Sequence, residues 1–445
     1  MKENDLTRGS VIKVLLMFAL PFLIANILQS LYGAVDLFVV GKYCSSESVA
    51  AVSTGTQVTQ IITSLITGLT LGSTILIGKY TGAQNYEHVK KTIATTFILF
   101  VIVALILTVF MLVFKRPLLV LLQTPKESFE LTVQYVAICS SGIFFICGYN
   151  AMSAILRGYG DSTRPMIFIA IACFVNIILD FIFVKYCGLN VAGTAYATIL
   201  AQAISMIIAI VYLKKQNFIF DFKKKSFQID WNLAKELASV GLPISCQELF
   251  IRISFLYLMT IMNSCGVAAA AIVGISSKYD VFAMLSATSM ANALTAITAQ
   301  NIGANKPKRA RLSLWYGLSI ALAISFIFWL WAQWSPQTMI QVFSKEQNII
   351  DVGIPFFKSC SYDYFLVTIV FCLNGYLNGR QKTIWTMLSS TFGALVLRIP
   401  MVYIFSQFFA DDLGKLGMIA PIVSGIMAFY TLVYVIWEGR KKVLL

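Results

Sequence analysis

Charge is what this chain has least of. Only 12% of its 445 residues are Asp, Glu, Lys or Arg, against about 25% in a soluble domain, which excludes a water-soluble globular fold. Histidine is nearly missing. The single one, His88, falls in a polar connection, so proton chemistry in an apolar interior is left to carboxylates. The cysteines (Cys44, Cys139, Cys147, Cys173, Cys187, Cys246, Cys265, Cys360 and Cys372) form no C-x-x-C pair. That excludes a disulfide framework and a thiolate metal cage, and leaves small apolar filler. H-E-x-x-H, G-x-S-x-G and the phosphate-binding loop of ATPases are absent too. The chain therefore reads as a non-enzyme with no catalytic residues and no cofactor. If it does work, the energy comes from an ion gradient, and one charge crossing 100 mV is worth about 2.3 kcal/mol.

Hydrophobic residues make up 58% of the chain and the mean hydropathy is +0.80. Apolar runs of about 18 residues or more recur along its whole length, each long enough to cross a bilayer core. Spans are expected near 11–40, 48–78, 92–114, 131–156, 165–184, 191–213, 236–262, 267–300, 312–335, 353–377, 384–409 and 417–437. The expected fold is all-α and polytopic: twelve transmembrane helices in two pseudo-symmetric six-helix bundles. Pro21, inside the first span, removes a backbone donor and marks a kink.

With the N-terminus inside, the cytoplasmic segments hold 23 of the 34 Lys and Arg, the outer loops eight, and the spans three. That bias puts both termini in the cytoplasm of a cell-membrane, multi-pass protein. It also accounts for the net charge of +14, so nucleic acid is not an expected partner. Residues 1–213 form an N-terminal lobe, 214–235 a basic cytoplasmic linker, and 236–445 a C-terminal lobe. In the linker, Phe218, Phe220, Phe222 and Trp231 alternate with lysines, as expected of a segment at headgroup level.

The halves repeat. A shift of 221 lays Thr81-Gly82-Ala83 over Ile302-Gly303-Ala304 and Leu156-Arg157-Gly158 over Leu377-Asn378-Gly379, and Pro21 meets Pro243 at a shift of 222. Six spans per copy make the repeat parallel, with a pseudo-two-fold along the membrane normal. The intramembrane acids do not repeat: Asp36 meets Tyr257, Asn176 meets Leu397, and Asp180 meets Met401.

A carboxylate inside a span costs about 3 kcal/mol or more and persists where it faces a cavity or a partner. Asn176 and Asp180, spaced i,i+4, share a helix face. Asp36 in span one and Thr198 in span six lie at similar depth in the outer half of the first bundle, and Asn150 in span four is a further candidate. Two carboxylates in one dry pocket need a proton or a sodium ion. Asp36, Asn176, Asp180 and Thr198 are thus the candidate sodium ligands. The second half carries Glu248 and Arg252, Lys278 and Asp280, Asp363 and Arg398, read as internal ion pairs or as a substrate surface offering both signs. Tyr32 and Tyr135, with Glu248 and Arg252, are the substrate-binding candidates.

Together, Ala299-Gln300-Asn301-Ile302-Gly303-Ala304, Leu156-Arg157-Gly158-Tyr159-Gly160-Asp161, Asn176-x-x-x-Asp180 and the Gly188–Thr198 stretch resemble the MATE (multidrug and toxic compound extrusion) transporters along essentially the whole chain. The resemblance implies two six-helix lobes about a central cleft and a secondary active antiporter. Such a protein exports amphipathic, often cationic drugs or metabolites in exchange for sodium or protons, with no partner besides small molecules and membrane lipids, as a monomer. It implies a cation site at Asp36, Asn176, Asp180 and Thr198, near Asn150, and a first span that bends, with Pro21 as the hinge. The chain departs from the pattern at Lys79, where the second copy has Gln300, and at Glu248, one turn from the glutamate that binds cations in other members. Distant relatives flip a lipid-linked anionic precursor, and Arg252, Lys278 and Arg398 keep that alternative open.

Overall fold

The computed structural model describes residues 5–216, 218–264, 267–409 and 412–441; Cys265 lies outside them. The described residues hold helices and no strand. In order these are α1 (Val11–Tyr43), α2 (Ser46–Gly82), α3 (Tyr86–Leu121), α4 (Lys126–Ser141), α5 (Ile143–Gly158), α6 (Thr163–Asp180), α7 (Asn190–Lys215), α8 (Trp231–Ser264), α9 (Val267–Gly303), α10 (Pro307–Trp334), α11 (Pro336–Gln341), α12 (Gln347–Cys360), α13 (Asp363–Gly379), α14 (Thr383–Thr391), α15 (Ile399–Phe408), α16 (Leu413–Gly417) and α17 (Ile419–Lys441). One π-helical stretch, Phe181–Tyr186, follows α6 and another, Phe392–Arg398, follows α14. A membrane interior leaves helices as the way to satisfy every backbone polar group within one segment.

Eleven stretches are long and apolar enough to cross a bilayer, and α4 with α5, bent by 47°, supplies a twelfth as one broken span. The expected number of spans is met. Most helices outrun their expected ends, because hydropathy fades at the first charge while the helix continues through it. α3, for instance, takes in Lys90, Lys91, Lys115 and Arg116.

The described chain groups into two compact units. One takes the chain up to Leu6 and Leu20–Ser245; the other takes Thr7–Ala19 and the chain from Cys246 onward. The divisions fall inside α1 and α8 rather than in the basic stretch 214–235, and local packing supplies the reason. The start of α8 belongs to the first unit: a Cβ on Gly72 of α2 would lie 2.9 Å from the Gly241 Cα. Ser245 Oγ donates to Leu65 O at 2.6 Å, and Lys79 Nζ pairs with Glu236 Oε1 at 2.7 Å. That ion pair also accounts for the lysine that interrupts the repeat. In the second unit, Lys306 Nζ donates to Thr7 O at 2.9 Å and Arg309 Nη1 to Gly9 O at 2.8 Å. Pro21 stands just after the first division and Pro243 just before the second.

Within the units the repeat is visible bond by bond. Thr74 Oγ1 donates to Ala154 O at 3.3 Å, and its counterpart Thr295 Oγ1 to Gly375 O at 3.1 Å. α2 ends on left-handed Gln84 (φ 55°) and α9 on Asn305 (φ 56°). Each half is built around the same helix: α2 and α9 are the most enclosed spans, two-thirds buried.

The linker aromatics correct the sequence expectation. Phe218 and Phe220 are buried, with Phe218 5.3 Å from Tyr159 and Phe220 6.1 Å from Phe97, ring to ring. Packed on the first unit, they are core rather than headgroup anchors. Trp231 alone among them stays well exposed.

Candidate functional site

Asp36 sits late in α1. Asn176 and Asp180 occupy the last turns of α6, with Asp180 as its final residue before the π-helical stretch. A π turn is a common device at functional sites, where one extra residue per turn re-aims the side chains beside it. Asn176 and Asp180 are completely enclosed and Asp36 nearly so. The two carboxyls face each other within interaction range, and the Asn176 amide is the next neighbour of Asp36. Yet among the described residues Asp36 Oδ1, both Asp180 oxygens and both polar atoms of Asn176 have no hydrogen-bonding partner, and no lysine or arginine acts on either acid. Two acids facing each other out of water cannot both be bare anions, so the pair requires a proton or a cation. The donor set, two carboxyls and an amide oxygen, is all hard oxygen and fits an alkali ion rather than a soft metal.

Thr198, about two turns into α7, lies beside the Tyr32 hydroxyl, and Tyr32 in turn is close to Asp36 and Asp180. Tyr135 OH meets Thr56 Oγ1 at 3.3 Å and also lies near Asp36. Both tyrosines thus surround the acid pair. Tyr135 is only 3% exposed. Asn150 Nδ2 donates to Ile146 O, one turn back in α5, at 2.8 Å.

In the second unit, Glu248 and Arg252 are half-buried neighbours on α8. Lys278 is exposed, so it is no partner for Asp280 in the interior. Asp280 of α9, Asp363 of α13 and Arg398 at the end of the second π-helical stretch act on one another, which sequence spacing does not indicate. They come from three separate spans, and no fixed spacing joins them. A second unforeseen feature is Arg157, whose guanidinium lies 4.4 Å from the centre of the Phe22 ring, directly after Pro21.

The MatE family model matches residues 21–182 and again 243–404, each match opening at one of the two prolines. A probable multidrug resistance protein of Bacillus subtilis, YpnP, is 26% identical over 447 residues, with 99% of each chain covered. The multidrug export protein MepA of Staphylococcus aureus is 23% identical, covering 92% of this chain and 91% of MepA. A solved structure described as the outward-facing conformation of a multidrug resistance MATE family transporter of the MOP superfamily superposes with a TM-score of 0.91. The identity there is 24%, over 99% of this chain and 98% of that one.

Proposed function

Because the chain belongs to the MatE family, we propose that it is a secondary active antiporter of the cell membrane that exports amphipathic, often cationic compounds, with the Asp36–Asp180 pair as its coupling site. The observation that carries the reading is the enclosed pair of facing carboxyls, with both Asp180 oxygens and Asp36 Oδ1 unpartnered and, among the described residues, no basic side chain to neutralise the pair. A coupling ion need only bind one conformation better than another to drive the cycle. Asp36 and Asp180 lie on different helices, and Asp36 shares its helix with Pro21. An ion that draws the two acids together therefore pulls on the segment that follows the proline, and the lobes rock in response.

Close facing of the carboxyls, with no open space at Asp180, supports a proton held between them in this conformation. Sodium would need the oxygens spread around it, with Asn176 and Thr198 completing the shell. Both termini lie on the cytoplasmic side in this reading, following the basic residues. The flippase alternative finds no support among relatives named for multidrug resistance and export.

Asp180→Asn tests the assignment. The variant is expected to insert and fold but to lose gradient-driven ethidium transport in everted vesicles; transport at the wild-type rate defeats the assignment. Imposing a sodium gradient and a pH gradient separately on the wild type identifies the coupling ion.

A further inference from the structure

We infer that Asp280, Asp363 and Arg398 form a subsite in the second unit for a zwitterionic group, an ammonium held by the aspartates and a carboxylate held by the arginine. This rests on the export reading above and names one class of cargo within it.

Three observations converge. The first is that Asp363 and Arg398 are buried and Asp280 half-buried, yet the charges do not close on one another. Asp363 and Arg398 are each more than nine-tenths enclosed, and the strongest charges acting on Arg398 are Asp363 and Asp280. Even so, among the described residues neither aspartate makes an ion pair with it, and Arg398 Nε, Asp363 Oδ1 and Tyr364 OH have no hydrogen-bonding partner. Opposite charges in a low-dielectric interior attract strongly at short range. A pair whose role was self-neutralisation would be drawn into contact. Here the guanidinium is instead held against the Phe255 ring, 4.6 Å from its centre, while Asp363 has the Ser424 hydroxyl beside it and Asp280 the Ser276 hydroxyl. The three charged tips are propped apart by other contacts.

The second observation is the backbone. Asp363 is the first residue of α13, after the interruption that separates it from α12. At the shift of 221 its counterpart is Gly142, where α4 and α5 break by 47°. Interruptions at matching positions of two halves point to a binding site in transporters. In the second half the span Gln347–Gly379 runs on without the sharp bend of the first, and its two-residue interruption is followed directly by an acid.

The third is the π-helical stretch that ends on Arg398. It re-aims a fixed, planar cation whose fork matches a carboxylate. None of the three residues has a charged counterpart in the first unit: the shift of 221 leads to Thr59, Gly142 and Ile177. The subsite is therefore distinct from the acid pair and uses the opposite logic, since it supplies its own cation.

The test is equilibrium binding to the full-length protein in lipid nanodiscs, with no gradient imposed. Norfloxacin, which carries an amine and a carboxylate, is compared with its methyl ester, which keeps only the amine. The wild type is expected to favour the acid by about tenfold or more, the size of one bidentate charged contact. Arg398→Gln should collapse that preference toward one, and Arg398→Lys, which keeps the charge without the fork, should leave a part of it. Asp363→Asn should weaken both compounds. A wild-type preference near one, or a preference that survives Arg398→Gln, overturns the inference. If Arg398→Gln does not survive purification, Arg398→Lys decides: an undiminished preference there overturns it as well. Wild type that binds neither compound while still transporting ethidium overturns the subsite and leaves the export reading standing.

Discussion

Asp36 and Asp180 stood out in the sequence because an acid in an apolar run is costly wherever it falls, and the i,i+4 partner Asn176 came with its own helix. Asn150 was placed with them, and its amide N–H is spent within its own helix. An amide in a membrane helix can settle its own hydrogen bonds on the carbonyl one turn back, as Asn150 does on Ile146 O, so it signals less than a carboxylate. The Asp280, Asp363 and Arg398 cluster was visible only as three scattered charges, since convergence between spans leaves no trace in spacing. For the acid pair the absence of donors has a consequence for stability. Asp36→Asn keeps the volume, replaces an acid that must share a proton or an ion by a permanently neutral amide, and turns an N–H toward the Asp180 carboxylate. The expected outcome is a thermal midpoint in detergent at neutral pH that holds or rises, by a gain on the order of 1 kcal/mol. A clear fall would mean that the wild-type pair is held by an ion this change evicts, and would turn the balance toward sodium.

At the scale of helices, hydropathy located every crossing but not how any of them is interrupted. At the Gly142 break a side chain would run into Ile199 of α7, so the site requires glycine for a reason of packing that a one-dimensional pattern does not carry. The same holds for the start of α8, assigned to the second half by hydropathy and found packed on α2. Gly68 and Gly72, one turn apart, let Ser245 and Gly241 approach the α2 backbone, the small-residue crossing that membrane helices use where no hydrophobic effect drives them together. The Lys79–Glu236 pair, about a third exposed on each side, adds less, roughly 0–1 kcal/mol. Gly72→Leu is therefore expected to be far more damaging than Glu236→Gln. The leucine variant should lose monodisperse protein on size exclusion, with an overpacking cost of about 1–3 kcal/mol or more, while the glutamine variant should elute as wild type. Equal behaviour of the two would show that the glycine contact is not what fastens α8.

Across the whole molecule, duplication was legible from a constant shift, and the paired Thr74 and Thr295 hydrogen bonds bear it out. What the shift did not reveal is that each copy's first helix is shared: the units divide within α1 and within α8, next to Pro21 and Pro243. Proline inside a helix removes one backbone bond and costs about 3 kcal/mol relative to alanine. Two such costs at matching places are consistent with both helices having to flex where the units divide. Only the first of these helices carries an intramembrane aspartate, so the flexing should be gated by the ion in α1 and merely permitted in α8. Pro21→Ala and Pro243→Ala should each stabilise the protein to heat and slow ethidium efflux, several-fold or more if the hinge motion limits turnover. The two should differ in one respect: Pro21→Ala should also change the dependence of efflux on the driving ion's concentration, and Pro243→Ala should not. A double variant that exports at the wild-type rate would remove the prolines from the mechanism and leave the acid pair to couple by some other element.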